Sequence, residues 1–226
     1  MYKSMIKKEK RMNTQELNRK YTPLSPEQRI SALCSDFQNM LFTSSFGVTS
    51  AYLLHLFSCL NPGQPVYFLE TTYHFPETIE YKKELTELLH LTVIDLKGEA
   101  WRNEFTRTAR SWEKDPDLCC SVNKVEPLEK IKTGFSVWIS GLRKTQSEHR
   151  KELSIFEETS GILKFYPILD QTEEQVSEYI QKYNLPEHPL KSKGFESIGC
   201  MQCTAKGTLR EGRWINKSKT ECGLHM

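Results

Sequence analysis

The chain contains no apolar run approaching the length of about 20 residues that a membrane-spanning helix needs. Its first residues carry Lys7, Lys8, Lys10 and Arg11 where a secretory signal has a hydrophobic stretch. These two absences exclude a helical membrane protein and predict a cytoplasmic one. A surplus of charge of one sign is lacking too. The 31 Lys and Arg against 29 Asp and Glu leave a net charge of +2, too little for a general nucleic-acid binder. There is no internal repeat and no low-complexity segment. No Gly-Lys-Ser/Thr follows a glycine-rich turn, which excludes a Walker-type nucleotide site.

What is present is an ordinary globular composition, 38% hydrophobic and 27% charged, in 226 residues, enough to bury a core without covalent staples. Residues 1–24 read as a polar lead-in, residues 25–190 as one α/β domain, and residues 191–226 as a C-terminal segment. Ser25-Pro26-Glu27 opens a helix with a capping residue followed by proline. Strands are predicted at 41–45, 65–69, 91–96 and 135–139. Helices are predicted at 48–60, 76–89, 99–112 and 173–183, with Ile79, Leu85, Leu88 and Leu89 as the apolar positions of the second. Strand and helix alternate, so the fold class is α/β, a doubly wound, mostly parallel sheet. Ligands in such sheets bind beyond the carboxyl ends of the strands, which gathers the turns after Ser45, Leu69 and Ser140 around one crevice. From Pro186 onward the chain is irregular and glycine-containing, and is predicted to be a mobile tail that carries function.

Thr43-Ser44-Ser45-Phe46-Gly47 lies between a predicted strand and a predicted helix. Small residues there let backbone N–H groups approach an anion, and the helix dipole adds attraction. The same pattern also describes a plain capped turn.

The seven cysteines call for a chemical explanation, because a reducing compartment does not favour a disulfide framework. Cys119 and Cys120 are adjacent, and Cys200 and Cys203 form a C-x-x-C pair. Together they suggest a tetrathiolate metal site, for which zinc and iron–sulfur are both candidates. Adjacent cysteines reach separate corners of a [4Fe-4S] cube more easily than they reach one ion. Cys34 and Cys59 sit among apolar residues on predicted helices and read as core thiols. Cys222 stands apart, in Glu221-Cys-Gly-Leu-His225. Lys217 and Lys219 act to lower its pKa and Glu221 to raise it, so its reactivity is undecided by composition.

Several motifs in one order resemble the assimilatory sulfonucleotide reductases. They are Ser45-Phe-Gly47 with its preceding Ser44, Leu69-Glu-Thr-Thr-Tyr-His-Phe-Pro-Glu-Thr78, Cys119-Cys120 through Leu128, Trp138 through Ser147, Gly199-Cys-Met-Gln-Cys-Thr204, and Arg210-Glu-Gly-Arg-Trp214 leading to Glu221-Cys-Gly-Leu-His225. The resemblance runs from about Ser25 to His225. Departures from the family pattern are Glu70-Thr71-Thr72, where Asp-Thr-Gly is common, and Asn123, where a basic residue often stands.

The resemblance implies an adenine-nucleotide-hydrolase-like fold with Cys222 as the nucleophile. It also implies a [4Fe-4S] cluster on Cys119, Cys120, Cys200 and Cys203, in the branch that reduces adenosine 5′-phosphosulfate. It assigns Ser44, Ser45, Gly47, Leu69, Lys124, Arg143, Arg210 and Arg213 to the substrate, with Leu69 near the adenine. The implied reaction forms an S-sulfocysteine on Cys222, which thioredoxin or a similar dithiol resolves to sulfite, in sulfate assimilation and cysteine biosynthesis. A homo-oligomer is compatible with it, and no nucleic-acid or membrane partner is implied. His225 receives a positional role, and His74 and His149 read as ordinary polar or substrate-edge residues. The alternatives are the same chemistry on 3′-phosphoadenosine 5′-phosphosulfate, a non-catalytic zinc- or nucleotide-binding module, and a nucleotide-activating ligase. For the ligase the pyrophosphate turn is missing.

Overall fold

A computed structural model describes residues 13–159, 161–215, 219 and 221–224. The His225 and Lys217 assignments fall outside them. Six strands form one sheet in the order β3-β2-β1-β4-β6-β5. They are β1 (Met40–Thr43), β2 (Val66–Glu70), β3 (Val93–Lys97), β4 (Val137–Ile139), β5 (Phe156–Thr159) and β6 (Ile162–Phe165). All neighbours are parallel except β5 and β6, which form an antiparallel hairpin. The chain winds outward from β1 through β2 to β3, then returns to place β4 on the other flank of β1. The switch point of the sheet therefore lies between β1 and β4, where open α/β sheets bind ligands.

The helices α1 (Thr14–Tyr21), α2 (Pro26–Asp36), α3 (Ser50–Leu60), α4 (Pro76–Leu88), α5 (Ala100–Thr108), α6 (Ser111–Lys114), α7 (Pro116–Cys120), α8 (Glu126–Lys132), α9 (Glu148–Lys151) and α10 (Glu173–Lys182) pack around this sheet. Ser25 caps α2 and Thr172 caps α10, each in a reciprocal capping box with a glutamine. Between α7 and α8, residues Ser121–Val125 widen into a π-helical turn. Pro127, one turn on, has no N–H to give to an α-helical bond. Gly98 admits that turn, since a Cβ there would lie 2.7 Å from the Val122 carbonyl oxygen. Among the described residues no helix is long and apolar enough to cross a membrane.

Four sequence expectations need correction. The lead-in is polar, but part of it is folded: in α1 Leu17 and Tyr21 are fully buried, and the Tyr21 ring meets Phe156 edge-on at 4.9 Å. The buried guanidinium of Arg29 ties this segment down, donating to the carbonyls of Tyr21, Thr22 and Pro167 and pairing with both oxygens of Asp170 at 2.7 Å. Two apolar residues in eight hide such a helix from any periodicity argument. In α4 the inward face is Thr78, Tyr81 and Leu85, whereas Ile79 and Leu88 are exposed. The Tyr81 hydroxyl donates to Pro186 O, and the Thr78 hydroxyl bonds His188, so the 186–188 loop selects the face. The predicted 99–112 helix breaks at Arg110, whose φ is +51°. Cys59 is exposed rather than in the core, while Cys34 packs against it. The β5–β6 hairpin was not anticipated, because its strands interleave Glu157, Glu158 and Lys164 with apolar residues.

His188 anchors the start of the C-terminal segment. Its Nδ1 accepts from the Leu190 N–H at 3.1 Å, and its Nε2 faces the Thr78 hydroxyl at 3.1 Å. Burial outweighs the nearby Glu77 and holds its pKa at about 4, against an ordinary 6.5. The unfolded chain therefore binds a proton that the folded one refuses. The contribution of neutral His188 is complete above the unfolded pKa and is lost as pH falls toward the folded one. Urea unfolding is expected to show the wild type losing about 3 kcal/mol more than His188→Asn between pH 7 and pH 4.

Candidate active site

The carboxyl ends of β1, β2 and β4 open onto a cavity of about 540 Å³. That volume is typical of a small-ligand site. Ser44, Ser45, Gly47, Leu69, Lys124, Arg143, Arg210, Arg213 and Cys222 all border it. The three predicted turns thus meet around one crevice.

In the turn after β1 the left-handed residue is Phe46, with φ +47°. Its fully buried ring meets Phe68 edge-on at 5.6 Å, and its N–H donates to Ser44 Oγ at 3.2 Å. A Cβ on Gly47 would make only ordinary contacts, 3.4 Å from Ser45 Oγ. Packing of Phe46 therefore shapes the turn, and the following helix α3 starts at the cavity wall. Thr49 makes no side-chain cap there, and Thr49 and Ser50 border the cavity, where a helix start favours an anion. Leu69 lies near the end of β2, and its carbonyl accepts from His74 Nε2 at 2.9 Å. Burial, more than the opposing Glu70, favours the neutral His74 ring.

Basic side chains dominate the far wall. Arg143 is only 2% exposed; its Nη2 pairs with Glu173 at 2.6 Å, while its Nε and Nη1 have no partner among the described residues. Unsatisfied buried donors of this kind mark a place for an oxyanion. Arg213 packs over the Trp214 ring at 4.4 Å. It is admitted by Gly199, where a Cβ would come within 2.3 Å of the guanidinium. Burial lowers its pKa, opposed by Cys200, Cys222, Cys203 and Cys120. Burial also works against the Lys124 ammonium, yet Cys200, Cys222 and Cys120 around it hold its pKa above the ordinary lysine value.

Cys222 shares a hydrogen bond with Cys120, a contact that favours the ionised form of Cys222 over that of Cys120. The Cys120 bond, then Lys124, the Leu224 N–H and Arg213 hold its pKa well below 9.0 against the effect of burial. Cys120 is correspondingly raised, first by its bond to Cys222. The undecided balance around Cys222 is resolved because Glu221 does not act on it as a free charge. Glu221 is buried and paired with Arg150 and Arg210, while Lys219 pairs with Asp117. The sequence carries no signal for Arg150, which lies beyond the motif ending at Ser147; Glu221 reads there only as a charge opposing the Cys222 thiolate, and Trp214 only as a motif residue.

Cys119, Cys120, Cys200 and Cys203 border a second, small cavity together with Tyr73, Trp112, Asn123, Lys124, Arg213 and Trp214. Cys119 and Cys120 end α7. Cys200 and Cys203 bracket a single 3₁₀ turn whose Met201 N–H donates to Tyr73 O at 2.7 Å. The sulfurs have polar neighbours: the Asn123 amide lies 3.8 Å from Cys119 Sγ, and the Thr71 hydroxyl 3.5 Å from Cys200 Sγ. Asn123 is buried and also bonds Asn103 and Thr106, a network that a basic residue would break. Burial pushes the Cys119 thiol up to about 11. All seven cysteines are free thiols, and among the described residues no three His, Cys, Asp or Glu side chains are arranged to hold a metal ion as they stand.

Residues 39–206 match the family model described as the phosphoadenosine phosphosulfate reductase domain. The chain is 40% identical over 195 residues to an adenosine 5′-phosphosulfate reductase of Bacillus mycoides, covering 82% of this chain and 83% of that one. It is 38% identical over 200 residues to the corresponding protein of Bacillus cereus, covering 84% and 86%. Among solved structures, the phosphoadenylyl-sulfate reductase of Candida auris, in complex with phosphate, superposes with a TM-score of 0.73 at 28% identity. The match covers 86% of this chain and 98% of that one. FMN adenylyltransferase of Candida glabrata shares the fold alone, with a TM-score of 0.57 at 15% identity over 85% and 72% of the chains.

The unpartnered donors of Arg143 predict that inorganic phosphate stabilises the protein. A thermal-unfolding series in phosphate is expected to gain about 2.7 kcal/mol at a hundred times the dissociation constant. The Arg143→Gln variant is expected to need at least about tenfold more phosphate for the same gain.

Proposed function

The chain belongs to the phosphoadenosine phosphosulfate reductase domain family, and from that premise we propose that it reduces adenosine 5′-phosphosulfate to sulfite and AMP with electrons from a dithiol protein. The observation that carries this reading is the convergence of a thiolate, Cys222, with Lys124, Arg143, Arg210 and Arg213 on one nucleotide-sized cavity. The Bacillus relatives named for the substrate without a 3′-phosphate favour that nucleotide. The Candida structure named for the phosphorylated one keeps a second reading open, in which both are accepted.

In this mechanism the adenosine end lies toward Leu69, and the phosphosulfate lies across the turn after β1 toward the basic wall. The Cys222 thiolate attacks the sulfur. The bond from sulfur to the bridging phosphate oxygen breaks, AMP leaves with that electron pair, and Cys222 carries the sulfonate as S-sulfocysteine. AMP leaves as a phosphate anion, so no proton donor is needed. Arg143 and Arg213 hold the charge that passes from sulfate to phosphate oxygens. A thiolate of thioredoxin or a similar dithiol then attacks Cys222 Sγ, sulfite leaves, and the partner's second thiol resolves the mixed disulfide. Two electrons pass from dithiol to sulfur, and the Cys222 thiolate returns.

Cys119, Cys120, Cys200 and Cys203 fit a [4Fe-4S] cluster in donor chemistry, since they are four thiols around one cavity with hydrogen-bonding neighbours. Four thiolates make such a group anionic, and Lys124 and Arg213 are the cations beside it. When bound, the cluster supplies fixed negative charge and joins two loops, while the electrons come from the dithiol. With Cys120 engaged as a ligand, Lys124, Arg213 and the Leu224 N–H remain to hold the Cys222 thiolate. The reading also includes a cytoplasmic setting in sulfate assimilation, and a homo-oligomer is compatible with it.

Three measurements test it. Cys222→Ser is expected to lose at least about a thousandfold in thioredoxin-dependent sulfite release while still binding AMP; retained turnover refutes the mechanism. In the wild type, the ratio of kcat/KM for the two nucleotides decides between the substrate readings. Anaerobically purified protein is expected to hold about four irons and as many labile sulfides per chain, with Cys203→Ser losing them. Zinc in their place would support the non-catalytic module.

A further inference from the structure

Cys222 lies on neither a helix nor a strand, yet it sits at the cavity wall. Two anchors flank it. On one side Glu221, 5% exposed, accepts from Arg150 Nε at 2.9 Å and Nη2 at 2.7 Å, from Arg210 Nη2 at 3.0 Å and from Ser147 Oγ at 3.1 Å. On the other, the Leu224 carbonyl accepts from Lys164 Nζ at 3.2 Å, and the Leu224 side chain packs against the cluster of Leu41, Leu128, Trp138 and Ile162. Lys164 is itself 6% exposed on β6, with its ammonium 4.9 Å from the Trp138 ring. Gly223, between the anchors, passes so close to the π-helical turn that a Cβ would lie 3.2 Å from Val125 Cγ2.

The socket is preformed by the fold. Ser147 precedes α9 and Arg150 lies within it, and Arg150 also bonds the Gln146 side chain. With its Nε and Nη2 on Glu221 and its Nη1 on Gln146, Arg150 has all its nitrogens engaged within the protein. A bidentate pair of this kind fixes direction as well as distance. The carboxylate next to the nucleophile is thus neutralised, and its geometry is used.

We infer that Glu221 is a positioning residue for the reaction. Docked into the Arg150, Arg210 and Ser147 socket, it holds Cys222 against the cavity, and Lys164 grips the Leu224 carbonyl as a second anchor. This rests on Cys222 being the nucleophile. It gives Arg150 to the tail rather than to the substrate and makes Arg210 a shared contact. Opening of the tail for the dithiol partner then means withdrawal of Glu221 from this socket.

The test uses the full chain in its cluster-loaded form. Glu221→Gln keeps size and removes the charge. It is expected to slow single-turnover formation of S-sulfocysteine at least about tenfold, and to speed tryptic cleavage after Lys219 in the native protein by a similar factor. AMP affinity is expected to stay equal or to tighten, so that kcat falls while KM does not rise. A wild-type rate overturns the inference, and so does a parallel loss of rate and AMP affinity, which would make Glu221 part of the nucleotide site's framework. Folding is followed by thermal unfolding. If Glu221→Gln does not fold, Lys164→Met carries the test, with slower single turnover and faster tail cleavage expected at unchanged AMP affinity and wild-type values overturning the second anchor and the positioning scheme with it. The nucleophile reading fails separately: Cys222→Ser with normal turnover sinks it, whereas an inactive Cys222→Ser beside a fully active Glu221→Gln leaves it standing and removes the latch.

Discussion

Lys124, Arg143, Arg150, Arg210 and Arg213 crowd one cavity, and the repulsion and lost hydration of these cations are what the surrounding residues balance. Each anion nearby has a place in that balance. Glu221 neutralises Arg150 and Arg210, Glu173 takes one side of Arg143, and cysteine sulfurs surround Lys124 and Arg213. Arg143 keeps two donors without a partner among the described residues. An anionic substrate is the natural complement, and a thiol placed among these charges is held as thiolate.

The sheet makes such crowding possible. Because the chain reverses its winding between β1 and β4, the loops leaving both strands splay apart, and the start of α3 faces the gap. The tail closes the gap from outside, anchored on α9 and β6 rather than on the loops that bind nucleotide. In the proposed reading the nucleophile is positioned mainly by α9 and β6, with Arg210 shared between the tail and the substrate.

Much of this was readable in the residues. Alternation of apolar runs with capped helices predicted the parallel sheet, and motif content singled out Cys222 and the basic residues that border the cavity. Other features were hidden for physical reasons. Helix α1 is held by Tyr21, Leu17 and the guanidinium of Arg29, contacts that span the chain and leave no periodic trace. The face of α4 is chosen by hydroxyl bonds to the 186–188 loop rather than by apolarity. The turn after β1 owes its shape to Phe46, a bulky residue in a left-handed conformation that side-chain propensity would never nominate.

The sequence by itself determined the chemistry available to this protein. It specified a thiol next to a glycine, two close cysteine pairs, basic residues late in the chain and a strand–helix alternation, because these depend on residue type and local spacing. Only the tertiary structure decided the state of that chemistry. Whether Glu221 opposes the Cys222 thiolate or docks it, whether Arg150 serves substrate or tail, and which cysteines share a cavity are all matters of distance between residues far apart in the chain. Electrostatic energies change steeply over those few ångströms, and no local pattern encodes them.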